Sequence, residues 1–304
     1  MDTSPVPAST SVAPRHLHLD DFLERLPKLL DHELVTFEWL GVERDLGREA
    51  QVTERFREWL TRSQIPLHPY AIEDCAHMAD WYLADEDSTP ELLAQAAALY
   101  AGWFVMDARC THDSALAHAL ATDHWGTGAD ATDQALRQIH LCNRHWMSGA
   151  GPATRGLMEK YMVEWAHRIR YENSWRATPD SLPFEILLRN RVIMVGYRPA
   201  LVAGLCDAEV NAFELWSRRE PALGRLMQAA GDSIAIVNDL GCLPQFARDP
   251  DKADPNTVIR FTDPDLGVPA FTSYCDKLSN EIKSLYTTLT GSQTLTCRAC
   301  AAKR

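Results

Sequence analysis

The sequence predicts an all-α protein, a single-domain bundle of roughly ten helices, and three observations carry that expectation. Ala and Leu dominate a composition that is 46% hydrophobic with only 15 Gly. Apolar residues recur at helical rather than strand spacing through most of the chain. At 304 residues the chain is long enough to bury one large core or two modest ones, and the sequence offers no obvious linker to divide it. A formal charge of −12 argues against nucleic acid as a partner. No run approaches the ~18 apolar residues of a membrane span. The opening stretch MDTSPVPASTSVAPRHLHLD has no charged segment leading into an apolar one, so it does not read as a signal peptide. Without that signal, the eight cysteines are expected to be thiols and the setting cytoplasmic.

Residues 1–18 are rich in Ser, Thr, Pro and Ala and are expected to be a disordered tail. The helical domain is expected over 19–290, followed by a short tail at 291–304. Leu19, Phe22, Leu23, Leu26, Leu29 and Leu30 give the first helix, expected to extend across 19–40. Helices over 47–63 and 70–84 follow. Ser88 or Thr89 can then cap a helix that opens at Pro90, with Glu91 in its first turn. That helix should reach Asp107 or run on toward Leu120. Further helices fit 133–147, 153–173, 180–206 and 208–217. Another opens at Pro221, and Pro244 is expected to stop it near Cys242. PQFARDPDKADPNT reads as a loop, and 268–290 as the last helix.

Three places in this pattern carry polar groups where apolar ones are expected. Asp107 sits at the end of an apolar run, in F-V-M-D, with Asp113 six residues on. Arg189 and Arg191 lie in RNRVIMVGYRP, within a helix apolar all round, so an arginine there needs an anionic partner. That partner is either a carboxylate of the chain or a diphosphate gripped by paired donors. Asn238 and Asp239 close the apolar run SIAIVNDLGCL. Cys242 lies one turn further on the Asn238 face, and Gly241 could cap the helix in a left-handed conformation. A zinc site from His140, Cys142, His145, Cys297 and Cys300 lacks the spacing that gathers four ligands.

The order of these three places, with 47 residues from Arg191 to Asn238, resembles the bacterial class I terpene synthases. EWAHRIR, TPDSLPFEILLRNRVIMVG and DPNTVIRF are similar to stretches of that family, and NDLGC followed by Arg248–Asp249 resembles the bacterial ent-kaurene synthases. The resemblance implies the class I terpenoid synthase fold around a deep apolar cavity, with candidate walls at Trp81, Trp103, Phe104, Phe184 and Trp216. It implies a lyase that ionises an isoprenoid diphosphate and cyclises the carbocation, with a geranylgeranyl or labdane-type diphosphate favoured and farnesyl diphosphate as the alternative. It implies Mg2+, three ions bound with the diphosphate. Asp107, Arg191 and Asn238 would be catalytic. Asp107, Asp113, Asn238, Cys242 and Asp249 would be metal-binding, and Arg191, Arg189 and Arg248 would hold the diphosphate. Besides the substrate, the sequence leaves a homodimer open.

The family pattern is not complete. Ala108 follows Asp107, and Thr111 and His112 occupy the places of a third acid. Asp113 comes one step late, six residues or about 600° of helix from Asp107. Cys242 and Phe246 stand where the family has Ser and Glu, and a thiol is a poor donor for magnesium. The C-terminal Arg-Tyr pair is absent, and the chain's Arg170–Tyr171 is central. A catalytically degenerate protein of the same fold, binding an isoprenoid or a protein without turnover, is the alternative these departures favour.

Overall fold

A computed structural model describes residues 19–36, 45–65, 67–83, 88–110, 151–176, 183–203, 221–248, 256–262 and 266–291. Among them are ten α-helices, one 3-10 helix and no strand. In chain order they are α1 (Leu19–Leu30), α2 (Glu33–Thr36), α3 (Leu46–Ser63), α4 (Pro69–Leu83), α5 (Pro90–Cys110), α6 (Pro152–Arg176), α7 (Phe184–Met194), α8 (Tyr197–Ala203), α9 (Pro221–Arg248), η1 (Thr257–Thr262) and α10 (Gly267–Gly291). The all-α expectation holds. The helices expected at 133–147 and 208–217, and both tails, lie outside the described residues.

Local signals set several helix ends. The Asp45 carboxylate accepts from the Arg48 N–H at 2.9 Å and caps α3. Thr89 caps α5, its Oγ1 accepting from the Leu92 N–H at 3.2 Å, with Pro90 as the first helical residue. The first helix is shorter than expected: α1 ends at Leu30, and the chain restarts as α2 at Glu33. There the His32 ring nitrogen Nδ1 accepts from the Leu34 N–H at 3.0 Å.

Packing organises the helices around two clusters of buried side chains. The first joins α3, α4 and α5 to α6 and α8, through Phe56, Leu60, Cys75, Leu99, Trp165 and Val202. Alanines at 94, 96, 97, 98 and 101 let α5 lie close between its neighbours, so it is buried on nearly every side. A buried Asp80 on α4 is held by Arg48 of α3 at 2.5 Å. The second cluster joins α1 and α2 to α7, α9, η1 and α10, through Phe22, Leu34, Ile236, Leu240, Phe261 and Phe271. α2 is also latched to α10 by polar contacts. Asp276 meets the His32 ring at 3.1 Å, and Glu33 accepts from Ser279 at 2.7 Å and from Lys283. Those two hydrogen bonds, Lys283's foremost, hold the Glu33 carboxyl below its ordinary pKa.

Two expected boundaries are corrected. The single helix expected over 180–206 breaks into α7 and α8 at Val195–Gly196, where Gly196 takes a φ of +70°. A residue with a β-carbon is strained in that region, so the break is written into the glycine. Conversely, Pro244 does not stop α9, which runs on to Arg248. Leu240 and Leu243 are fully buried on either side of the lost backbone bond, and their packing outweighs the ~3 kcal/mol a helical proline costs.

α9 crosses the break at Gly231. A β-carbon added there would meet Val192 Cγ1 at 2.9 Å and the Tyr197 ring at 3.0 Å. Gly231→Ala is therefore expected to destabilise the protein. The overpacking penalty of about 1–3 kcal/mol exceeds the ~1 kcal/mol that alanine gains in helix propensity. Urea unfolding measures it; a rise in midpoint would mean that α9 and the break move apart without strain.

Candidate functional site

The guanidinium of Arg191 is the centre of a buried polar network. α7 is apolar on both flanks of this residue, and Arg191 is 3% exposed. Arg189, two residues earlier, is exposed, as a rotation of about 200° requires. Arg191 Nε donates to Asp239 Oδ1 at 2.9 Å, and Nη2 donates to the same oxygen at 2.6 Å. Nη2 also donates to Asn238 Oδ1 at 3.1 Å. The arginine and the Asn-Asp pair, read separately in the sequence, therefore meet directly.

Asp239 is wholly buried, and its second oxygen is equally committed. Oδ2 accepts from the Thr257 backbone N–H and from the Thr257 hydroxyl, each at 2.7 Å. Asn256 Nδ2 donates to the Asp239 carbonyl at 2.6 Å, and its Oδ1 accepts from the Val258 N–H at 2.9 Å. The segment after α9 is thus pinned across Asp239, and a carboxylate with four donors needs no further partner. Sequence reasoning marked DPNTVIRF as a familiar stretch but did not identify Asn256 and Thr257 as the clamp. It also left Asp239 out of the candidate site. Charge accounting was the available signal: one buried acid and one buried base in apolar helices neutralise each other.

Asn238 and Asp239 do not end their helix, contrary to expectation. They lie within α9, and Gly241 is not a left-handed cap because the helix continues through it. The continuous helix fixes the register of the next two turns. Cys242 and Phe246, one and two turns after Asn238, are both half-buried. Arg248 is exposed, and its Nε donates to the Pro244 carbonyl at 3.1 Å. Asp232, on the same helix, has its carboxyl pKa raised by burial and moderated by the Gln228 hydrogen bond and the charge of Arg189.

Asp107 lies in α5, but its side chain is outside the described residues, as are Asp113 and Asp249. The helix bearing Asp107 nevertheless approaches the break after Arg191. Trp103, one turn before Asp107, has its ring 3.6 Å from where a Gly196 β-carbon would stand. The Trp165 indole N–H donates to the Met194 carbonyl at 2.8 Å beside it. Of the other expected wall residues, Phe104 packs half-buried on the first cluster. Phe184 belongs to the second, with Phe261 at 5.2 Å and Tyr274 at 5.3 Å. The Trp81 side chain and Trp216 lie outside the described residues.

Among the described residues no three His, Cys, Asp or Glu side chains gather to hold a metal. The donors near Asn238 do not suit magnesium by themselves. The carboxamide oxygen already accepts from Arg191, both Asp239 oxygens are taken, and the Cys242 thiol is soft. A cavity of about 440 Å³ lies between α6, α8 and α9, and its wall mixes Lys160, Glu164 and Arg198 with Met227. No helix among the described residues is long and apolar enough to cross a membrane. No family model, curated protein or solved structure matches the chain.

Proposed function

We propose that the chain is a class I terpene cyclase that ionises an isoprenoid diphosphate, a geranylgeranyl or labdane-type diphosphate by preference. What carries the reading is the 3.1 Å hydrogen bond from Arg191 to Asn238, two residues that the sequence resemblance pairs across 47 positions. The approach of Trp103 to Gly196 adds support, since it brings the Asp107 helix toward the same break. In this reading Asp239 holds the guanidinium in a fixed orientation, so little freedom is lost when an anion arrives. The buried helices around it exclude water that would quench a carbocation early. In this reading magnesium depends on Asp107, Asp113 and Asp249 for its hard oxygen donors.

A second reading has its own support. The Asp239 carboxylate already neutralises Arg191, and Cys242 and Phe246 occupy the helical register of two metal-ligand positions. A protein so arranged would bind an isoprenoid or a protein partner without turnover.

Incubating the full chain with geranylgeranyl, bicyclic labdane and farnesyl diphosphates, with and without magnesium, separates the two. A hydrocarbon or terpene alcohol formed only with magnesium is expected, and the substrate that yields it fixes the chain length. Asp107→Asn should lower that yield roughly 100-fold or more, the loss of a few kcal/mol of metal-based stabilisation. No product and no released diphosphate from any of the three substrates would leave the non-catalytic reading standing.

A further inference from the structure

The wall of the 440 Å³ cavity between α6, α8 and α9 carries charge in an arrangement that the proposed chemistry does not use. Arg198 Nη1 donates to Glu164 Oε2 at 2.7 Å. Its guanidinium also stands 5.6 Å from the centre of the Tyr161 ring, and the Lys160 ammonium stands 5.7 Å from the same centre. Among the described residues, Glu164 is the hydrogen-bond partner Arg198 finds, and it takes one of five N–H donors. Lys160 makes no ion pair among them. Two cations and one carboxylate therefore share this wall, a local excess of positive charge on a chain of net charge −12. Leu201 and Met227 give the cavity an apolar side.

We infer that this cavity binds a small amphiphile with an oxyanion head, a carboxylate or a phosphate monoester. The head bonds to Arg198 and draws on Lys160, and the tail lies against Leu201 and Met227. Two features favour an anion over a neutral ligand. Arg198 is anchored through Glu164 and the Tyr161 face, so its remaining donors are presented without much further loss of side-chain freedom. The Arg198 side chain is only about a third exposed (35%), where charge-assisted bonds are stronger than in open water. The volume lies toward the lower end of small-molecule sites and suits an apolar body of about ten carbons. Nothing in this inference depends on the reading of the Arg191 site.

Calorimetric titration of the full chain, in buffer free of magnesium and diphosphate, tests it with decanoate, decyl phosphate and decanol below their aggregation limits. Either anion should bind at least about tenfold more tightly than decanol, as charge-assisted hydrogen bonds imply. Whichever anion binds more tightly identifies the head. Arg198→Gln should remove that advantage, and Met227→Trp should block all three ligands. Glu164→Gln keeps an amide oxygen on which Arg198 can anchor but removes the negative charge beside the site, so it should tighten anion binding roughly threefold or more. That opposite sign keeps the test decisive if Arg198→Gln folds poorly. Decanol binding as tightly as both anions, neither anion binding, or Glu164→Gln weakening them as Arg198→Gln does would each overturn the proposal.

Discussion

Asp239→Ala is expected to destabilise the protein by about 3–5 kcal/mol, the cost of leaving a buried charge without its partner. The side chain removed accepts from both Nε and Nη2 of Arg191 and from both donors of Thr257. Its loss takes the Asp239 carboxylate from a guanidinium that is 3% exposed and frees the segment after α9 from its clamp. Guanidinium chloride unfolding, with the slope compared as well as the midpoint, measures the effect. A paired change, Arg191→Met with Asp239→Leu, should recover the part of the loss that comes from the charge, because it removes both charges while keeping volume; the part that comes from the Thr257 donors remains. A loss below about 1 kcal/mol for Asp239→Ala would mean that water reaches the pair and that the network is not a keystone of the fold.

The second large effect expected is on turnover. Arg191→Lys keeps the charge but replaces a planar fork with a single ammonium. It cannot span Asp239 and Asn238 as Nε and Nη2 do, nor offer paired donors to a diphosphate. Under the proposed function, kcat/KM for the accepted diphosphate should fall by roughly 100-fold or more, while the variant remains folded. Arg189→Ala, on the exposed side of α7, should have the smaller effect on both. If Arg191→Lys folds and turns over at the normal rate, Arg191 serves only the ion pair. If Arg189→Ala is the damaging change, the diphosphate approaches the other face of α7. Measuring stability and rate on the same samples keeps the structural and chemical roles of Arg191 apart.

What could be read in advance followed the range of the interactions involved. The starts of α3, α5 and α10, and the cap of α5, are local matters of periodicity and a few residues, and they fall within a residue or two of expectation. α7 is not apolar all round as expected: Glu185, Ile186 and Arg189 form an exposed face. The burial of one of its arginines was still partly legible, since about 200° of rotation lets only one of Arg189 and Arg191 face the core. The break at Gly196 was not, because a glycine within IMVGYRP can remain helical. Its positive φ is met in company with Trp103 and Trp165, which are far from it in sequence. Pro244 misled for the same reason: its local penalty is plain, whereas the burial of Leu240 and Leu243 is a tertiary fact. Whether Arg191 met a ligand or a carboxylate was also undecidable from spacing. Asp239 and Thr257 lie 48 and 66 positions beyond it and converge only once α7, α9 and η1 are packed. Of the candidate site, the Arg191–Asn238 meeting is described directly, and the side chain of Asp107 lies outside the described residues.

The docking of α1 and α2 onto α9 and α10 has a consequence for how the chain is made. Phe22, Leu29 and Leu34 find their partners in helices that begin at Pro221 and Gly267, and Glu33 waits for Lys283, 250 positions away. On the ribosome, at roughly 5–20 residues per second, these apolar side chains emerge on the order of 10–50 seconds before the surface that covers them. The α3–α4–α5 cluster, whose contacts are close in sequence, can form in that interval. α1 and α2 stay uncovered meanwhile, an exposed segment for a chaperone to shield. Within the described bundle, the two helices made first are thus among the last to be covered.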